Sequence, residues 1–187
     1  MRQGKSVRLR QATPDDAPLV HGWRDDPGYH DPFQEISPMP LSFLEGEFAH
    51  DPYLPESKGW WIILSPDTDE PMGMVLHFNP SAMPHYHALE VGWEVRPEFR
   101  GRGIASEAAS ILVNYLFNLT SIQRIQAAIA VGNEASGAVA RRVGMQSEGI
   151  CRKAGFGRGL PIDLQIYSIL REEWRDEESY IRGRPIA

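Results

Sequence analysis

The chain carries a single cysteine, Cys151, among its 187 residues. One cysteine closes no internal disulfide, so the fold must rest on burial and hydrogen bonding, and such a composition suits a reducing compartment. No apolar run approaches the roughly 18 residues of a membrane span. Met1–Gln11 lacks the order of charged, apolar and small residues that marks a signal peptide. Internal repeats and low-complexity segments are missing as well. On these grounds the chain reads as a soluble cytoplasmic protein with no membrane partner. His77, His85 and His87 have no cysteine or acid at zinc-like spacing, so they read as strand and turn histidines, and no metal is expected. A basic excess is also lacking: 19 Lys and Arg stand against 25 Asp and Glu, for a formal net charge of -6. That balance argues against a nucleic-acid surface.

What is present begins with enough length for one buried core and too little for two. The expectation is a single domain over 1–187, with a folded core at about 7–175 and a charged tail at 176–187. Charge is unevenly spread. Residues 1–95 hold 6 Lys and Arg against 15 Asp and Glu, whereas 96–187 hold 13 against 10. A polyanionic ligand in the second half and a cationic one in the first would suit that division, as would a plain solvated acidic surface.

The most informative stretch is 95–106. Before it, Leu89, Val91, Trp93 and Val95 alternate with Glu90, Gly92 and Glu94, the period of a strand. After it, Ala105, Ala108, Ala109, Leu112, Val113 and Leu116 form one helical stripe, with Ser106, Glu107, Ser110, Asn114 and Asn118 opposite. An arginine–glycine loop therefore enters the first turn of a helix. There the N–H groups lack internal partners and attract anions. Gly101 and Gly103 permit a tight turn and close approach, and Arg100 and Arg102 add charge, so the loop suits a pyrophosphate. No P-loop ending in Gly-Lys-Ser/Thr is present, and a dinucleotide fold would need a third spaced glycine and several βαβ units.

Arg100-Gly101-Arg102-Gly103-Ile104-Ala105, preceded by a strand and Pro97, resembles the pyrophosphate loop of the GNAT acyltransferases, Gln/Arg-x-x-Gly-x-Gly/Ala. The wider text, Gly92-Trp93-Glu94-Val95-Arg96-Pro97 and Gly103 to Ala108, is most similar to the RimJ/RimL-type branch. So is Asn133-Glu134-Ala135-Ser136, then Val143-Gly144-Met145, Glu148-Gly149 and Arg152, with Met145 standing where Phe is usual. Asp163–Arg171 followed by Trp174 matches that branch's last strand.

In chain order, Val7–Arg10 reads as a first strand. Thr13 caps a helix opened by Pro14, with Ala17, Leu19, Val20 and Trp23 inward. Asp25–Pro40 reads as a long loop or broken helices, and Ser42 with Glu45 as a capping box for a helix to about His50. Trp60–Leu64 and Met72–Phe78 read as strands around the turn Ser65–Glu70. Arg124–Val131 reads as a further strand. Asn133 then caps a helix with Ala135, Ala138, Val139 and Val143 inward and Gly144 as its stop.

The resemblance implies an α/β (α+β) GNAT fold, a mixed central sheet flanked by helices, whose two central strands, here Ala88–Val95 and Arg124–Val131, splay apart around the pantetheine arm. It implies acetyl-CoA as cofactor and direct transfer of an acetyl group to a primary amine. Trp93, Glu94 and Val95 would line the arm through their backbone, and the Val95 N–H would polarise the thioester carbonyl. Arg100, Gly101, Arg102, Gly103, Ile104, Ala105 and Ser106 would bind pyrophosphate. Asn133 and Ser136 would bind near the pantetheine end. Ser136, or alternatively Tyr167, would steady the departing thiolate, and Glu90, or Glu94, would serve as base. An acyl-enzyme on Cys151 would not fit direct attack. Acceptor choice falls in Asp25–Asp51, and either a protein N-terminal amine or a small amine such as an amino acid, polyamine or amine antibiotic would serve. A homodimer follows only by analogy. The alternative is a non-catalytic acyl-CoA-binding module.

Overall fold

Strands covered on both faces build the middle of the molecule. A computed structural model describes residues 2–30, 32–33, 39–49, 58–80, 88–157 and 159–174. Among the described residues eight strands form one sheet: β1 (Arg2–Gln3), β2 (Arg8–Gln11), β3 (Lys58–Leu64), β4 (Pro71–Phe78), β5 (Ala88–Val95), β6 (Arg124–Ala130), β7 (Gln146–Gly157) and β8 (Leu160–Leu170). Their order across the sheet is β1-β2-β3-β4-β5-β6-β8-β7. Neighbours are antiparallel except β5 and β6, which run parallel. That one parallel junction needs a long crossover, and α3 (Ile104–Leu119) supplies it. The other helices are α1 (Ala17–Asp25), α2 (Leu41–Phe48) and α4 (Glu134–Val143).

Two apolar layers hold this arrangement. Trp61, Ile63, Val75, Leu89, Val91, Ile125 and Ile129 face the layer that contains α3. Trp60, Ile62, Leu64 and Met74 face the other, against Ala17, Val20, Leu44 and Phe48 of α1 and α2. Covered on both sides, β3 reads Gly-Trp-Trp-Ile-Ile-Leu with no polar alternation. The α3 helix is more deeply embedded than its stripe predicts. Ile104, Ile111, Tyr115 and Phe117 are buried along with the stripe from Ala108 onward, Ala105 being only partly covered, and full burial of Leu112, Leu116 and Phe117 contributes roughly 1.5–3 kcal/mol each. Asn114, expected on the solvent side, is buried and accepts a 2.6 Å bond from Trp174 Nε1. Arg171 closes the helix by donating to the carbonyls of Phe117, Thr120 and Ile122 at 2.6–2.8 Å.

Other expectations change. Ser42 and Glu45 form no capping box: α2 opens at Leu41 after Pro40, without a side-chain cap. The Thr13 box is present, with the Asp16 carboxylate accepting from the Thr13 N–H at 2.8 Å. Leu19, expected inward on α1, is partly exposed. In α4 the buried residues are Gly137, Val139 and Ala140, and Ala135 faces out. Met145 is buried in the layer beneath α3. The strand β7 had no sequence signal. It is an edge strand, exposed over most of its length and interrupted by register shifts between Ser147 and Gly149 and between Cys151 and Gly155.

The β5–β6 ladder pairs Ala88 with Arg124, Leu89 with Ile125 and Glu90 with Gln126, and then stops. From Val91 onward the two strands part. On its other side β5 stays paired with β4 as far as Val95. Close approach there depends on Gly73, where an added Cβ would lie 2.2 Å from the Glu94 carbonyl oxygen.

Candidate active site

Gly101 and Gly103 adopt left-handed φ values of 76° and 80°. A Cβ on either would meet nothing within 4 Å, so the backbone conformation, and not crowding, calls for glycine. Gly103 is the N-cap of α3 and offers no side chain to cap it. The first-turn N–H groups therefore point outward without a capping acceptor. Within that turn the Ser106 hydroxyl is buried and has no hydrogen-bond partner among the described residues.

This helix start opens onto a groove of about 350 Å³ that runs to the split between β5 and β6. Trp93, Glu94 and Val95 of β5 line one wall, and Gly101, Gly103, Ile104, Ala105 and Ser106 line its end. The opposite wall is α4, through Ser136 and the stripe Ala135, Ala138, Val139 and Arg142. That stripe has helical spacing (i, i+3, i+4, i+7), and its alanines were read as a core face. Extending the same spacing one turn would have found Arg142, a cation on the groove. Asn133 does not line the groove. It caps α4, its Oδ1 accepting from the Ser136 N–H at 3.0 Å. Arg102 is exposed, its guanidinium 5.7 Å from the Phe99 ring.

The backbone of β5 is open on the groove side. Arg96 donates to Met72 of β4 at 2.9 Å. Alternation along the ladder then turns Val95, Trp93 and Val91 away from β4, into the gap where β6 no longer pairs. Glu94 falls on the β4 side, so its backbone is committed to the sheet and its side chain alone reaches the groove.

That side chain has partners. Arg24 of α1 donates to Glu94 Oε1 at 2.7 Å, and the Tyr29 hydroxyl donates to Oε2 at 3.2 Å. Burial, and then the Glu94 charge, push the Tyr29 hydroxyl far above its ordinary pKa. Arg100 is held as well: its Nε donates to the Val95 carbonyl at 2.9 Å and a terminal nitrogen donates to the Tyr29 carbonyl. It braces the loop against the segment after α1. No local sequence signal pointed to Arg24 and Tyr29 as its neighbours.

Glu90 lies at the last closed rung, outside the groove lining, and accepts from Gln126 Nε2 at 2.9 Å. Burial raises its pKa, and the Gln126 hydrogen bond opposes that rise. Tyr167 is buried, with its hydroxyl accepting from Arg141 at 3.2 Å. Cys151 is exposed on β7. His77 is buried in β4, whereas His85 and His87 lie outside the described residues, as do the tail and residues 31, 34–38, 50 and 51 of the Asp25–Asp51 segment.

A family model, the acetyltransferase (GNAT) domain, matches residues 6–146. The chain belongs to the GNAT acetyltransferase family. The uncharacterized N-acetyltransferase YoaA of Bacillus subtilis is 37% identical over 111 residues, covering 59% of this chain and 62% of that protein. The putative ribosomal N-acetyltransferase YdaF of the same organism is 38% identical over 89 residues, 48% of this chain and 49% of its own. The match thus spans less than two thirds of the length of either relative. Among solved structures, RimL, a ribosomal L7/L12 alpha-N-protein acetyltransferase in complex with coenzyme A, superposes with a TM-score of 0.75 at 20% identity, over 89% of this chain and 95% of that one. The likeness shows the fold, a mixed sheet flanked by helices. The residues present fit coenzyme A: uncapped N–H groups and an unpartnered buried hydroxyl meet at a helix start, beside a strand edge that lacks a neighbour.

Proposed function

We propose that this GNAT chain transfers an acetyl group from acetyl-CoA to a primary amine by direct attack. The observation that carries the reading is the interrupted β5–β6 ladder, which opens onto the glycine-capped start of α3. When bound, acetyl-CoA supplies an acetyl thioester already activated toward an amine. The N–H groups of Arg102–Ser106 would hold its pyrophosphate, helped by the Ser106 hydroxyl, and Arg142 would add charge along the same wall. Trp93 and the Val95 N–H would offer backbone groups to the pantetheine arm in the manner of an added strand. The Val95 N–H would polarise the thioester carbonyl. Ser136, on the α4 wall, would donate a hydrogen bond to the departing thiolate.

Glu90 takes the proton of the attacking amine, directly or through water. Its pKa, raised by burial, makes it a better proton acceptor than an ordinary carboxylate, while Glu94 is neutralised by Arg24. An α-ammonium with a pKa near 8 needs little help at neutral pH, whereas a lysine-like ammonium near 10.4 must give up about 4–5 kcal/mol. The names of YdaF and RimL favour the first, a protein N-terminal α-amine.

Thiol release from acetyl-CoA across peptides with free N-termini, amino acids, polyamines and aminoglycosides tests this reading. Turnover with the peptides, reduced at least tenfold in Glu90→Gln and in Ser136→Ala, is expected. Coenzyme A binding without thiol release on any amine would instead leave a non-catalytic binding module.

A further inference from the structure

On the sheet face turned away from α3, side chains from four adjacent strands form one unbroken hydrogen-bonded chain. Glu90 of β5 accepts from Gln126 Nε2 of β6 at 2.9 Å, and Gln126 Oε1 accepts from Arg124 Nε at 3.1 Å. Arg124 donates its two terminal nitrogens to the two Glu148 oxygens of β7, each at 2.6 Å. Ser168 of β8 donates to Glu148 Oε1, also at 2.6 Å. Register explains the meeting, since Glu90, Gln126 and Ser168 stand abreast. Both Gln126 and Ser168 are buried.

We infer that Arg124 is a positioning residue for Glu90, acting by fixing the orientation of the Gln126 amide. An amide can present either its oxygen or its nitrogen to a neighbour. Arginine has donors and no acceptor, so only the amide oxygen can face Arg124, and only the –NH₂ is left for Glu90. The Glu148 fork, steadied by Ser168, holds the guanidinium in that pose. A donor aimed at Glu90 stabilises its ionised form and opposes burial, keeping the carboxylate available as a base. The Arg124–Glu148 pair stays charged throughout, because the Arg124 hydrogen bonds hold the Glu148 carboxyl at about 2. Among the described residues, the other groups facing Glu90 are Glu94 on its own strand face, bound to Arg24, and Phe78 opposite on β4.

The catalytic meaning rests on Glu90 being the base, so the test reads the carboxyl itself. Protein labelled with ¹³C at the glutamate side-chain carboxyl is titrated by NMR, with Glu90→Gln assigning the signal. In Gln126→Leu the Glu90 midpoint is expected about one pH unit higher than in the parent. In Arg124→Met it is expected to move the same way although Gln126 is intact. Should Arg124→Met not fold, Glu148→Gln, which releases the guanidinium, is read in its place. Coenzyme A affinity should match the parent in every variant. A Glu90 midpoint unmoved by loss of the Arg124 contact overturns the inference. Thiol release onto a free peptide N-terminus separates the two ideas. Release lost in Glu90→Gln with unmoved midpoints sinks the relay and keeps the base. Release retained with moved midpoints sinks the base and leaves Arg124 orienting Gln126 on Glu90.

Discussion

A carboxyl whose pKa is raised by burial costs the fold stability wherever it is charged. The Glu90 proton is bound more tightly in the native protein than in the unfolded chain. That contribution is complete below the ordinary carboxylate range and is lost as pH rises through the raised value. Above that raised value the native protein carries a buried charge that its Gln126 partner only partly offsets. Glu90→Gln should melt higher than the parent on the alkaline side of the Glu90 titration, and the two should converge on acidification. Equal melting temperatures across the range would mean that the carboxylate is better solvated than its burial implies. Asn133 poses the simpler case of a cap: Asn133→Ala should cost about 1 kcal/mol by denaturant unfolding.

Elements carry the next level of consequence. Gly103 starts α3 in a left-handed conformation with open space around the missing Cβ. Gly103→Ala should cost only about 1 kcal/mol of backbone strain and keep most coenzyme A binding. Gly103→Glu places a carboxylate where the N–H groups point and should abolish that binding. Calorimetry with coenzyme A distinguishes the pair, and unchanged affinity in the glutamate variant would move the pyrophosphate elsewhere. At the other end of α3, Arg171→Met removes three donors from buried carbonyls and should destabilise by about 2–4 kcal/mol in urea. Apolar runs revealed β3 and β4, which are buried on both faces, while alternation revealed β5 and a helical stripe revealed α3. Sequence periodicity missed β7, whose Gln-Ser-Glu-Gly-Ile-Cys-Arg run buries no face and is broken by register shifts at glycines. It misread the outer stripe of α4, since apolar residues that wall a groove have the same spacing as those that fill a core.

For the molecule as a whole, the left-handed glycines and helix start at one end of the groove were legible in the chain and the side-chain braces beside it were not. Such a loop is local: Gly101, Gly103 and the helix that follows are neighbours in sequence. The braces from Arg100 to Tyr29 and from Arg24 to Glu94 join segments far apart in the chain, and no spacing rule reports such contacts. Beside them lies a sheet that is not finished. Val91 and Trp93, and Val95 through its N–H, face a neighbour that has turned away, the Val95 carbonyl being taken by Arg100. Their amides should exchange with solvent deuterium faster than those of Leu89 or Met74, although all five residues sit in central strands. Saturating coenzyme A should slow the Val95 amide in particular, and melting should rise with cofactor concentration. The protein, in that sense, is folded one strand short, and the proposed cofactor would be the piece that completes the weave.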